Sequence, residues 1–230
     1  MKILSLATIL SKQAQNLISH NDEYFVLSPL DDEELKSKYK AKFIKYEIDT
    51  LAFVFMMICS KIFYDDKRFN DVDYGYLSGE SNVGEEEIDE ILEFLKEAKR
   101  IIIAPEIFTE INAKSLEFML GLLCKHFGLE SVDLTGKNFS FNAEFSQLKQ
   151  GRDFNGACVF CYENTQINFI GSELFAKIAK LKNNDKITLK TSFGEFETTF
   201  IIKPDLKGVI AIFSHPKAKN CFEKLRFLAL

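Results

Sequence analysis

The sharpest chemical signal in the sequence is Cys158-Val159-Phe160-Cys161, a C-x-x-C pair of the kind that serves as a redox dithiol or as half of a zinc site. Its setting argues against both uses. Residues 157–162 form an apolar run that reads as a strand, and residues three apart on a strand face opposite sides with Cα atoms roughly 10 Å apart, beyond the roughly 7 Å reach of a disulfide. No second C-x-x-C and no His pair completes a metal set. A thiol oxidoreductase would further require a depressed pKa at Cys158. Cys59 and Cys124 fall within apolar helical segments and read as small core residues.

The remaining candidates are weaker. Glu85, Glu86 and Glu87 imitate a cation site, but successive helical residues point about 100° apart, so three in a row cannot converge on one ion. They read instead as the acidic first turn of a helix that ends in Lys96, Lys99 and Arg100, in line with the macrodipole. His20, His126 and His215 are far apart, and none stands near a recognisable nucleophile. There is no G-x-x-x-x-G-K-[ST] loop and no G-x-G-x-x-G. The sequence therefore assigns no catalytic, cofactor-binding or metal-ligating residue.

Residues 183–213 are the most strongly patterned part of the chain. Asn183, Asn184 and Asp185 form a turn, and Ile187 and Leu189 alternate with polar neighbours. A tight turn at Ser192, Phe193 and Gly194 leads into a return strand with Phe196, Thr198, Phe200 and Ile202 on one face. After Pro204, Asp205 and Gly208, residues 209–213 read as a strand buried on both sides. A short helix capped by Ser172 precedes the hairpin, with Leu174, Phe175, Ile178 and Leu181 at helical spacing.

The first half alternates strands and helices. Strands are expected at residues 24–27, 42–46, 101–104 and 132–134, with that at 101–104 central. Helices are expected after Asp31, from about residue 50 to 64, from Glu85, and from about Leu116 to a Gly128 cap. Residues 71–84 read as a polar connection and 137–150 as a linker. The last ten residues read as a short amphipathic segment.

Composition bounds the partners. With 230 residues and 47% apolar content the chain can form packed cores, and a net charge of −5 without a basic block argues against nucleic acid. No apolar run reaches the length of a membrane span. The N-terminal MKILSLATIL imitates a signal peptide, but Ser5, Thr8 and Ser11 interrupt it, so it is expected not to be one. Five cysteines, an odd number without framework spacing, fit a reducing cytoplasm.

The order helix, Asn-Asp turn, hairpin with Gly194, loop with Gly208, buried strand resembles the C-terminal double-psi β-barrel of the molybdopterin oxidoreductase superfamily. There a Gly-Asp turn and a strand-Gly-strand-Gly-strand order help close over a pterin dinucleotide; Asn184 stands where that Gly is usual. Residues 24–64 are similar to the superfamily's dinucleotide-binding domain. Ser28-Pro29-Leu30 replaces an Asp-Pro-Arg-like turn, however, and Glu47-Ile48-Asp49-Thr50 replaces a Pro-Gly-Thr-Asp/Glu segment. A cation and a permissive Gly are both missing, so the resemblance implies the fold without the pterin site.

Within the superfamily, residues 71–87 resemble the large iron–sulfur subunit of proton-pumping NADH-quinone oxidoreductase, respiratory complex I. That resemblance implies an α/β chain: a parallel, doubly wound domain at 1–136, a linker at 137–150 and a small double-psi-like β-barrel at 151–230. It implies a cofactor-free structural and interaction portion, with iron–sulfur clusters in a preceding region or a partner chain. Other peripheral-arm subunits would be its partners, and the cytoplasmic face of the inner membrane its location, without direct insertion. The alternative is a fragment of a pterin-dependent molybdenum or tungsten oxidoreductase.

Overall fold

In the computed structural model, residues 1–229 are described, and they divide into two compact units, Met1–Arg152 and the residues from Asp153 onward. The first unit runs β1 (Lys2–Ser5), α1 (Leu10–Gln13), β2 (Glu23–Leu27), α2 (Glu33–Lys38), β3 (Lys40–Ile44), α3 (Leu51–Ile62), α4 (Tyr74–Ser81), α5 (Glu85–Glu97), β4 (Arg100–Ile103), α6 (Ala113–Phe127) and β5 (Glu130–Asp133). Its five strands are all parallel, in the order β3-β2-β1-β4-β5.

Strand alternation sends side chains into a core on each face. Leu4, Phe25, Leu27, Ile101 and Ile103 join residues of α3, α5 and α6 in the larger core. Ile3, Tyr24, Val26, Ile102 and Val132 join Leu10, Ala14 and Leu35 in the other. The apolar N-terminus is thus a strand, and it, rather than β4, is the middle of the sheet. Ile3 and Leu4 are both buried, so the segment shows no alternation of polar and apolar residues.

The stretch 71–84, expected to be an irregular connection, contains α4. Asp73 caps it, its Oδ1 accepting from the Tyr76 N–H at 2.9 Å, and Leu77 and Ser81 are its buried face. Residues 137–150 carry Phe139, Phe141, Phe145 and Leu148 against the larger core. They are tied to α6 by Ser115 Oγ, which donates to the Ser146 carbonyl at 2.7 Å.

The second unit runs β6 (Cys158–Glu163), β7 (Asn168–Gly171), α7 (Glu173–Ala179), β8 (Lys186–Thr191), β9 (Gly194–Ile202), β10 (Ile210–His215), β11 (Cys221–Lys224) and β12 (Phe227–Ala229). They form a mixed sheet that curls into a half-barrel, in the order β11-β6-β10-β7-β9-β8-β12. Phe169, Phe175, Phe200 and Phe213 fill its core.

The expected hairpin is β8 and β9, paired from Lys186–Thr199 to Thr191–Gly194. Asn184 occupies the left-handed region at φ 69°, a conformation that glycine or asparagine tolerates. Ser172 caps α7 by accepting from Phe175 N–H at 2.9 Å. Of the apolar residues placed on that helix, Leu174 and Ile178 point outward, Phe175 is buried, and Leu181 is buried just beyond the helix end; Ala176 also joins the core. The terminal segment forms β11 and β12.

Candidate functional site

In an open parallel sheet, ligands are received at the carboxyl ends of the strands where the strand order reverses. In the first unit that point lies between β1 and β4. The chain leaving β1 presents Thr8, the chain leaving β2 presents Ser28, that leaving β3 reaches Asp49, and that leaving β4 turns through Pro105–Thr109 to Glu110. Pro105, with its fixed φ, ends β4 and starts the turn that carries Glu106 beneath the end of β1.

Glu106 is 3% exposed. Its Oε1 accepts from Thr8 N–H at 3.0 Å and from Gln13 Nε2 at 2.8 Å, while Oε2 is buried without a hydrogen-bond partner. Burial pushes the Glu106 carboxyl above the ordinary glutamate value, and the bonds from Thr8 and Gln13 only partly offset this. Glu110 sits one turn on, with Oε2 likewise buried and unpaired. Burial raises it well above the usual range, and the neighbouring Asp49 adds to the rise, against hydrogen bonds from the Ala52 and Leu51 amides. Those amides open α3, so Glu110 occupies the N-terminus of a twelve-residue helix, the place where a phosphate is ordinarily received. Tyr46 is buried in the same electrostatic neighbourhood, its phenol raised first by burial and then by Glu110 and Glu106.

Asp49 ties the site together. Its backbone is in the left-handed region at φ 73°. Its carboxylate accepts from Ile111 N–H at 2.9 Å and from Arg152 N–H at 2.6 Å, and it pairs with the Arg152 guanidinium at 2.7 and 3.1 Å. Arg152 also donates to the Thr109 carbonyl at 2.7 Å. On the opposite side, Asp32 accepts from Ser11 N–H and Ser11 Oγ, both at 2.7 Å, and from Leu35 N–H at 3.1 Å, joining α1 to α2. Ser28 Oγ donates to the Thr8 carbonyl at 2.8 Å.

A dinucleotide seated as in a phosphate-binding α/β domain would need the Thr8 amide or the first amides of α3. Glu106 already holds the first, and the Glu110 and Asp49 carboxyls stand near the second. The side chain at Leu30, where a cation would be needed, is buried, and Ile48 is half-buried. The residues present do not fit the pterin dinucleotide of the superfamily that the sequence resembles.

The features singled out in the sequence do not join this site. Glu85 pairs with Lys61 at 3.1 Å, whereas Glu87 Oε2 accepts from Gly84 N–H at 2.9 Å, so the triple Glu splays as its helical geometry requires. His20 stacks on Tyr39, His126 meets Phe63 and Phe127 edge-on, and His215 packs on Phe196. Cys158 and Cys161 are both buried on β6, and burial pushes the Cys158 thiol up to about 12, opposite to what a thiol oxidoreductase needs. Among the described residues, no group of three or more His, Cys, Asp or Glu side chains is placed to hold a metal ion.

Glu106, Glu110, Asp49, Arg152 and Thr8 are not evident as a set in the sequence. The available signal was a carboxyl directly after the apolar strand and its proline, and its meaning depends on β1 being in the sheet. No protein-family model and no curated protein matches this chain.

Proposed function

We propose that the chain is a cofactor-free structural and interaction portion of a proton-pumping NADH-quinone oxidoreductase, corresponding to part of its large iron–sulfur subunit and supporting the iron–sulfur peripheral arm. The observation that carries this reading is the chain's own carboxyl at a phosphate-receiving position, Glu106 accepting from Thr8 N–H at 3.0 Å, with the Glu110 carboxyl near the start of α3. A scaffold that has given up its dinucleotide must satisfy those amides some other way, because a buried unpaired N–H costs about 1–3 kcal/mol. In this reading the first unit is a doubly wound domain, supported by helices packed in the cores on both faces of the sheet. The second is a double-psi-like barrel, supported by its parallel pairs β6–β10 and β7–β9 around the antiparallel pair β7–β10.

Partners are the other peripheral-arm subunits, which hold the clusters. The apolar pair Leu174 and Ile178, exposed on α7, is available to such a neighbour. Among the described residues no helix is long and apolar enough to cross a membrane, so attachment to the inner membrane would run through the complex.

The test is purification of the tagged chain from cells that supply pterin cofactor, with cofactor analysis and identification of bound subunits. The expected result is stoichiometric recovery with NADH-oxidising and iron–sulfur subunits and no pterin. Deletion should lower NADH-quinone oxidoreduction in membranes through loss of the assembled arm. A stoichiometric pterin, or unchanged assembly on deletion, would overturn the proposal.

A further inference from the structure

The second unit contains a pair of thiols that the sequence does not bring together. In the antiparallel pairing of β11 with β6, Cys221 lies directly opposite Cys161. Cα atoms across such a ladder are roughly 4.5–5.5 Å apart, inside the range a disulfide spans. Both side chains belong to the same apolar core, and the Cys221 thiol is close enough to hydrogen-bond Cys161. Cys158, the other half of the C-x-x-C, is paired across the ladder with Lys224 and is not a member of that core. The partner for Cys161 is therefore sixty positions away along the chain and adjacent in space.

We propose that Cys161 and Cys221 form a reversible cross-strand disulfide when the chain meets a small-molecule disulfide such as oxidised glutathione. The two thiols have unequal access, which sets the order of events. Cys161 is 0% exposed and lies on an interior strand, whereas Cys221 is 8% exposed and lies on β11, the edge of the sheet. Glu223 stands beside the outer thiol, its Oε1 accepting from Cys221 Sγ at 3.6 Å, and can receive its proton.

Cys221 sulfur attacks the glutathione disulfide, breaking its S–S bond, forming a protein–glutathione mixed disulfide and releasing one glutathione thiol. Cys161 then attacks the Cys221 sulfur, releasing the second glutathione. One S–S bond is lost and one is made. Two electrons pass from the protein dithiol to glutathione disulfide, and the two thiol protons end on the two glutathiones. The hydrogen bond with Cys221, together with burial, holds the Cys161 thiol far above its ordinary value, so the second step is the slow one.

The cross-link would also reach the β8–β9 turn. Glu223 accepts from Ser192 N–H at 3.0 Å and from Ser192 Oγ at 2.5 Å, and oxidation removes the Cys221 donor that shares this carboxylate.

The experiment treats the folded full chain, without denaturant, with oxidised glutathione near neutral pH, and follows intact mass and peptide maps over hours. The expected product is about 2 Da lighter than the reduced chain, with the Cys161 peptide linked to the Cys221 peptide, and is reversed by dithiothreitol. Cys158→Ser should retain the link, and Cys161→Ser should stop at a glutathione adduct on Cys221. A wild-type chain that stalls as the Cys221 adduct, that links Cys158 instead, or that forms no link would overturn the proposal, whatever the folding of the variants.

Discussion

Removing the Asp49 carboxylate tests whether the carboxyl edge of the parallel sheet is held by backbone capping or by the ion pair. Asp49→Ala deletes the acceptor of two backbone amides, Ile111 and Arg152, and of one guanidinium. The amides lie near the surface, where water partly replaces the lost bonds, so together they contribute roughly 1–3 kcal/mol. The side chain of Arg152 is 46% exposed while that of Asp49 is buried, so after solvent screening the ion pair adds about 1 kcal/mol. Alanine at φ 73° costs a further 1 kcal/mol or so, because its Cβ crowds the carbonyl in the left-handed region. The sum is about 2–5 kcal/mol.

Asp49→Asn keeps one acceptor oxygen and tolerates the backbone, so it should lose about half as much. Arg152→Ala keeps the backbone amide bonds but leaves the buried Asp49 carboxylate without its guanidinium and removes the bond to the Thr109 carbonyl, so it should cost about 1–2 kcal/mol, still less than Asp49→Ala. Urea unfolding followed by circular dichroism gives the ranking, and hydrogen exchange at the Ile111 and Arg152 amides reports the site directly. Asp49→Ala should speed exchange at both amides. Equal losses for Asp49→Ala and Arg152→Ala, or a loss under 1 kcal/mol for the former, would refute backbone capping as the dominant contribution.

Two further outcomes follow from the buried carboxyls and from one close approach. Glu106 and Glu110 have folded-state pKa values raised above the ordinary 4.5. Their contribution to stability is therefore fully present below that value and is lost as pH rises toward the folded values, since the unfolded chain ionises first. Glu106→Gln should gain melting temperature relative to wild type on going from about pH 4 to about pH 8, and a difference independent of pH would contradict the burial argument. In the second unit, a Cβ on Gly171 would lie 2.6 Å from Phe200 Cε2 and 2.9 Å from Phe175 Cδ1. Gly171→Ala should therefore cost about 1–3 kcal/mol by overpacking, and a calorimetric melting temperature equal to wild type would show that the two rings can retreat.

What was legible in the sequence had a period to read. The β8–β9 hairpin alternates over its whole length, α5 carries its acidic start and basic end, and α6 stops at Gly128 at φ 66°, so each could be placed from local residues. The β1 strand has only four residues, three of them buried, and a strand buried on both faces leaves no alternation to detect. α4 hides behind two glycines and an almost wholly polar surface, with Leu77 and Ser81 its only buried positions. The candidate site was harder again, since Thr8 and Glu106 stand 98 positions apart and Asp49 and Arg152 stand 103 apart. Cys161 and Cys221 depend in the same way on the register of two strands.

The chemistry at the sheet's carboxyl edge sets a condition on any function assigned to this chain. An incoming phosphate would have to displace Glu106 from Thr8 N–H or Glu110 from the start of α3 while standing close to the Asp49 carboxylate. At an effective dielectric of 20, two unit charges 4 Å apart repel by about 4 kcal/mol, comparable to what a pair of charge-assisted hydrogen bonds returns. The carboxyls thus do two opposed things. They satisfy amides that would otherwise be stranded, and by being buried they cost stability that apolar residues would not. Glu106 answers the Thr8 amide from within, its carboxyl raised above the ordinary value by burial, and Asp49 fixes the turn that follows through the Ile111 amide.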